Sequence, residues 1–294
     1  LSLYSTKVSG SGLKHLSALD TLKSLSLKDN KVWRAALPHL GALKALTSLD
    51  FSGTELSDGE LRHLSQLHAL ESLNLDNTKV GDDGMRHLSG LSALTSLSLE
   101  KTKVTDAGLQ HLSGLTRLTN LQLDKTKVTN DGLFYLRGLE SLTTLDLYKL
   151  RRVGDDGMRH LAGLKNLWNL NLQATKVGDQ GIAHLSGLSE MTQLNLADTR
   201  VGDAALVTIK GFKKLRILYL WQTKVRNDGL FHLREMPYLS SLDLFDTRVG
   251  NAGIKHLSGL TELTDLDLCL TNVTRKGKSE LKAALPKLTI AKCN

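Results

Sequence analysis

The sequence predicts an α/β solenoid, with short parallel strands forming an inner sheet and short helices outside, bent into a horseshoe. Three observations carry this reading. The stretch 94–117, LTSLSLEKTKVTDAGLQHLSGLTR, reappears 24 residues upstream as LESLNLDNTKVGDDGMRHLSGLSA and 24 residues downstream as LTNLQLDKTKVTNDGLFYLRGLES. The leucines Leu25, Leu49, Leu73, Leu97, Leu121 and Leu145 keep that spacing, and Leu170, Leu194, Leu218, Leu242 and Leu266 resume it after one step a residue longer. Within each copy the apolar pattern passes from strand alternation to helical intervals. Self-similarity at a fixed period of about 20–50 residues marks a stacked array and outranks any local motif.

Each element of the copy has a reason. Leu94, Leu97 and Leu99 fit a short strand with alternate side chains buried. Thr102 and Val104 bring the chain inward again. Asp106 stands before Ala107-Gly108-Leu109, where Asp, Asn or Ser signals a helix N-cap. Asp82, Asn130, Asp155, Asp179, Asp203, Asn227 and Asn251 are its equivalents, so the cap belongs to the whole array. Leu109, Leu112 and Leu115 line one face of a short helix that Gly114 ends. One strand and one helix cannot bury their own apolar faces, so the copies must stack.

The pattern LxxLxLxxTxVxDxGLxxLxxL resembles the leucine-rich repeat family over essentially the whole chain. The short DxGLxxL helix is similar to that of the ribonuclease-inhibitor and cysteine-containing subclasses, which favour Cys or Asn where this chain has Thr. Similar 24-residue arrays occur in bacterial and protozoan proteins. The resemblance implies a horseshoe with a recognition face, and it allows a host-targeting effector or a substrate receptor for ubiquitin ligation. The scaffold itself does not choose a function.

The unbroken repeat implies one elongated domain over 1–294, of about a dozen copies, with 1–21 a partial first repeat and 263–294 a C-terminal capping repeat. The chain opens at Leu1 in mid-strand, which implies further sequence, and any targeting signal, ahead of it. No apolar run approaches the roughly 20 residues that span a bilayer. Two places break the pattern. Val32-Trp33-Arg34-Ala35-Ala36-Leu37-Pro38 lacks the Asp and the Gly, with Trp33 expected to cover the irregularity, and Tyr148-Lys149-Leu150-Arg151-Arg152 carries the extra residue, expected as a loop bulge. Cys269 follows Leu268 on the outward side, and Cys293 is read at the Thr position of the last copy. One sulfur then faces solvent and the other the interior, so no disulfide is expected, which favours a reducing, intracellular compartment.

Residues 24 apart become neighbours roughly 5 Å apart on adjacent strands, so single residues become rows. The threonine row, from Thr54, Thr78 and Thr102 through to Thr271, reads as backbone-bonding and structural. The row Lys7, Lys31, Lys79, Lys103, Lys127, Arg152, Lys176, Arg200, Lys224 and Arg248 supplies much of the +8 net charge. Cations in file can follow phosphates. Without interleaved aromatics for stacking, and with carboxylates nearby, a solvated edge is the better reading and nucleic acid the weaker one. The histidines His15, His39, His63, His87, His111, His160, His184, His232 and His256 form a line rather than a convergent ligand set, so no metal or cofactor is expected. Packed between helices, they should have lowered pKa values.

The outward positions of the sheet are mostly Ser, Asn, Gln and Asp until the unit from Leu215, which sets Ile217, Tyr219 and Trp221 outward. The next adds Asp243 and Phe245, and the last adds Asp265 and Asp267. No folding reason requires aromatics on a solvated face, and a cluster of them marks an interaction site. The rim of Asp243, Asp246, Asp265 and Asp267 suits a partner bearing Arg or Lys, with Tyr148 and Trp168 extending the surface. No catalytic constellation emerges. The sequence therefore predicts a protein-binding module with no enzymatic activity of its own. The alternatives are the recognition part of an effector or ubiquitin-ligase-type enzyme whose catalytic domain lies outside the chain, and nucleic-acid binding along the basic edge.

Overall fold

In the computed structural model the full copies contribute one three-residue strand each and the C-terminal end a strand of two, and successive strands pair in parallel with their central residues side by side. Residues 1–6, 14–30 and 37–293 are described. They fall into two units, Leu1–Asp146 and Leu147–Asn294. The first holds β1 (Ser24–Ser26), β2 (Ser48–Asp50), β3 (Ser72–Asn74), β4 (Ser96–Ser98), β5 (Asn120–Gln122) and β6 (Thr144–Asp146). Its register sets Leu25 against Leu49, then Leu73, Leu97, Leu121 and Leu145. The second holds β7 (Asn169–Asn171), β8 (Gln193–Asn195), β9 (Ile217–Tyr219), β10 (Ser241–Asp243), β11 (Asp265–Asp267) and β12 (Thr289–Ile290). There Leu170, Leu194, Leu218, Leu242, Leu266 and Ile290 align. The α/β repeat fold expected from the sequence is present in both units. Lys7, Lys31 and Trp33, with the irregular start of the second copy, lie outside the described residues.

The helices are shorter and tighter than a plain α-helix. Asp106–Leu109 makes one α turn and passes into a 3-10 turn at Gln110–Leu112. The interval of three between Leu109, Leu112 and Leu115 matches three residues per turn, and all three are fully buried. Phe51 and Phe212 take leucine places in their columns and are the largest fully buried side chains.

The aspartate expected to cap its own helix caps its neighbour's instead. Asp106 is the first helical residue, and the cap position is Thr105, whose Oγ1 accepts from the Ala107 N–H. Asp106 reaches forward: Oδ1 accepts from the Thr129 N–H at 2.7 Å and Oδ2 from the Thr129 hydroxyl at 2.6 Å. Thr129 is the N-cap of the next helix, Asn130–Leu133. The same bond joins Asp58 to Gly81, Asp82 to Thr105, Asp155 to Gly178, Asp179 to Gly202, Asp203 to Arg226 and Asn227 to Gly250. Each acidic side chain thus fills the unmet N–H of the following rung and sets its charge at the positive end of that helix. The glycine three residues after that N-cap is the slot for it. A Cβ on Gly132 would stand 2.2 Å from Asp106 Oδ1, and one on Gly108 would stand 2.6 Å from Asp82 Oδ1.

The turn after each strand uses a left-handed residue, and these are rarely glycine. Asn77, Lys101 and Lys125 in the first unit, and Ala174, Asp198, Gln222, Asp246 and Leu270 in the second, have φ between 51° and 57°. Their N–H groups reach carbonyls two residues past the end of the next strand, as from Lys101 to Asp124 and from Gln222 to Phe245. The threonine row then closes the turn from inside: Thr102 donates to the Leu99 carbonyl at 2.8 Å and Thr223 to the Leu220 carbonyl at 2.6 Å. At the insertion Leu150 takes the threonine's place and is buried, its N–H donating to Leu147. The histidines are half-buried at His63, His87, His111, His232 and His256 and exposed at His15, His39 and His184. Burial, then the charges of Arg62 and Arg86, lowers the pKa of His63 and of His87.

The cysteines overturn the sequence expectation. Cys269 and Cys293 form a disulfide, their Cα atoms 5.3 Å apart. The register explains it: Asp265 pairs with Thr289 and Leu266 with Ile290, so Cys293 stands level with Cys269 and not at the threonine position. Both belong to one outward row on adjacent strands, within bridging distance. The argument for a reducing compartment, which rested on unpaired cysteines, falls with it.

The lock between rungs gives a sharp mutational contrast. Asp106→Ala leaves the Thr129 N–H without its acceptor and should lower stability by about 1–3 kcal/mol. Gly132→Ala should lower it comparably by crowding the Asp106 carboxylate. Gly138→Ala, where a Cβ meets nothing within 4 Å, should change it by less than about 0.5 kcal/mol. Urea denaturation measures all three, and equal effects for the two glycines would remove the lock from the account.

Candidate functional site

The exposed face of the second unit's sheet contains the predicted surface. Its strand residues lie in two rows: Gln193, Ile217, Ser241, Asp265 and Thr289 in one, and Asn195, Tyr219, Asp243 and Asp267 in the other. The residues after the strands form a third row, with Ala197, Trp221, Phe245 and Cys269 at the common spacing. Where Asp243, Asp265 and Asp267 meet Tyr219, the face sinks into a hollow of about 240 Å³, closed by Ser241, Thr289 and Ala291.

The hollow gathers four of the predicted residues and leaves the others outside. Tyr219, Asp243, Asp265 and Asp267 line it. Ile217, Trp221 and Phe245 are half-buried beside it. Asp246 is exposed in the following turn, its Oδ2 accepting from Gln222 Nε2 at 3.0 Å. Trp168 precedes β7, 42% exposed, and its carbonyl accepts from the Thr192 and Gln193 N–H groups. Tyr148 lies in the row of Trp221, separated from it by Gln173 and Ala197, with Lys149 Nζ 4.9 Å from its ring centroid. Sequence reasoning sets Ser241 on this face beside Asp243 and misses Thr289 and Ala291. Carrying the 24-residue spacing one step past Asp265 and Asp267 finds both.

Two of the carboxylates are already employed by the backbone. Asp243 Oδ1 accepts from the Phe245 N–H at 2.9 Å, and Asp267 Oδ1 accepts from the Cys269 N–H at 2.8 Å. Asp50 and Asn74 make the same bond two residues forward, so an Asp or Asn here shapes the end of the strand. Asp265 Oδ2 accepts from the Thr264 hydroxyl at 2.7 Å. Burial raises the Asp243 pKa, and the Asp267 charge raises it further against the Phe245 hydrogen bond. Like charges held this close favour an incoming cation.

The first unit has an acidic row of its own, Asp76, Glu100 and Asp124, on neighbouring rungs. Lys125 Nζ lies 2.7 Å from Glu100 Oε1, a hydrogen bond that holds the Glu100 pKa down. Asp124 is buried, and burial, joined by the charges of Asp146 and Glu100, pushes its pKa up to about 7. The basic edge is exposed at Lys103, Lys127, Arg152, Lys176, Arg200, Lys224 and Arg248, while Lys79 pairs with Glu55. Among the described residues no three His, Cys, Asp or Glu side chains come together to hold a metal. No helix there is long and apolar enough to cross a membrane.

A family profile described as a leucine-rich repeat region matches residues 1–227. The chain belongs to the leucine-rich repeat family. Among solved structures it is similar to an internalin of Listeria monocytogenes, with 20% identity, a TM-score of 0.67, and coverage of 98% of this chain and 89% of that one. Internalin C2 of the same organism is 30% identical over 68% of this chain and 79% of its own, with a TM-score of 0.56. A TDR receptor matches 99% of this chain with 52% of its own length, at 17% identity and a TM-score of 0.68, a likeness of fold alone. No curated protein matches by sequence. Leucine-rich repeat arrays commonly serve as protein–protein interaction modules and are usually not enzymes.

The raised Asp124 pKa has a definite sign. A carboxyl whose folded pKa exceeds its unfolded value of about 3.9 is protonated in the fold while ionised in the open chain, so stability falls as pH rises from about 4 to 7. Asp124→Asn should remove this slope and, at pH 8, raise stability on the order of 1–2 kcal/mol with little change at pH 4. Parallel stability–pH curves for the two chains would contradict the shift.

Proposed function

We propose that the chain is a protein-recognition module that takes a basic partner segment on the sheet face of its second unit, concave in the horseshoe that the sequence predicts. The observation that carries this is the hollow in which Tyr219 stands beside Asp243, Asp265 and Asp267. An aromatic ring with carboxylates around it offers a cationic side chain both a π face and charge partners. Half-buried Trp221 and Phe245 add apolar area on the adjoining row. Aromatics of this kind, ringed by polar residues, form the energetic centre of many interfaces. The internalin likeness is consistent with a binding role.

Binding of arrayed peptides to the full chain tests this reading. Peptides carrying Arg or Lys should be retained over their Gln counterparts, with affinity falling as salt rises. Asp265→Asn with Asp267→Asn should weaken retention by about tenfold or more, and Tyr219→Ser with Trp221→Ser should weaken it comparably. Retention of basic peptides unchanged in both double variants would sink the proposal. Retention of DNA with a steep salt dependence, lost on neutralising Lys176, Arg200 and Lys224, would move the partner to the basic edge.

A further inference from the structure

We propose that the Cys269–Cys293 bridge is a thiol-exchange site that clamps and releases the last rung, its co-reactant being a small thiol. The two sulfurs are unequally placed. Cys269 is 6% exposed, and its Sγ lies 3.8 Å from the Ala291 carbonyl. Cys293 is exposed, and Lys278 Nζ stands 3.6 Å from its Sγ. Lys278 belongs to the helix Arg275–Ala284, so the cation is held by the capping element itself. An ammonium beside a sulfur attracts an incoming thiolate and stabilises a thiolate left behind.

Access directs the exchange to Cys293, and the Lys278 ammonium draws the incoming thiolate to that exposed sulfur. A thiolate RS⁻ attacks Cys293 Sγ, the S–S bond breaks, and the electron pair leaves on Cys269 Sγ, which takes a proton. The product is a mixed disulfide, RS–S–Cys293. A second RS⁻ attacks the sulfur of R, releasing RSSR and leaving Cys293 as a thiolate facing Lys278. The sum is two thiols and the protein disulfide giving one small disulfide and two protein thiols. The reverse, with RSSR as oxidant, closes the bridge.

The bridge matters because the strand it holds is slight. β12 is two residues long, and Thr289 and Ala291 donate their N–H groups to the Thr264 and Leu266 carbonyls. Cutting the covalent tie leaves this end to fray. Thr289 and Ala291 also wall the acidic hollow, so the thiol poise would set the shape of that surface. This last consequence rests on the partner reading above.

The test uses the full chain, equilibrated with glutathione and glutathione disulfide, then alkylated and mapped by mass spectrometry. The oxidised chain should carry the 269–293 link, and millimolar glutathione should open it under native conditions with the first adduct on Cys293. Lys278→Met should slow opening at pH 7 by roughly threefold to tenfold. Hydrogen exchange after opening should accelerate at 285–293 and stay unchanged in β8 and β9. The proposal is overturned if glutathione disulfide fails to close the link, or if the link resists glutathione until the chain unfolds. It also fails if the adduct forms on Cys269 or if Lys278→Met opens at the unaltered rate. Peptide binding is read separately: no binding in either redox state sinks the partner reading and leaves the exchange chemistry standing.

Discussion

A carboxylate that reaches from one rung to the next helix is the constraint on which the rest depends. A helix of one turn leaves its first N–H groups without partners and has too few residues to be stable alone. Asp106 and its equivalents supply the acceptor from outside the helix, and the glycine of the following rung leaves the room. That bond sets the distance between rungs on the helix side, while the parallel strands set it on the sheet side. With both spacings fixed, the buried leucines have one stacking to adopt.

The outward face inherits its order from this frame. Because every rung repeats the same register, a residue's neighbours on the face are the residues one period away. Tyr219, Asp243, Asp265 and Asp267 meet only because three successive rungs hold them at aligned positions. The carboxylates of Asp243 and Asp267 also finish their strands by accepting a backbone N–H. Each therefore gives one oxygen to the fold while its residue lines the hollow, and the frame fixes where their charge stands.

Period and register were legible because one mistake in spacing would bury polar groups and expose leucines. The spine, the threonine row and the candidate face could all be counted. Three things could not. The role of Asp106 was hidden because a helix-start aspartate looks identical whether it caps its own helix or the next. The left-handed turn was hidden because Lys101, Gln222 and Leu270 occupy it in place of glycine. The disulfide was lost by a slip of two positions in the last copy, where the repeat carries too little pattern to correct the count. The hollow was half legible, since its acidic and aromatic wall stood out and its Thr289 and Ala291 wall did not.

The direction of the carboxylate bond also gives the array a polarity. The acceptor always belongs to the earlier rung and the orphan N–H to the later one. A rung added on the C-terminal side finds the acceptor for its first helix N–H already in place. A rung added on the N-terminal side brings the acceptor to a helix N–H that is already waiting. The array is thus directional as well as periodic, and its two ends present opposite unmet groups.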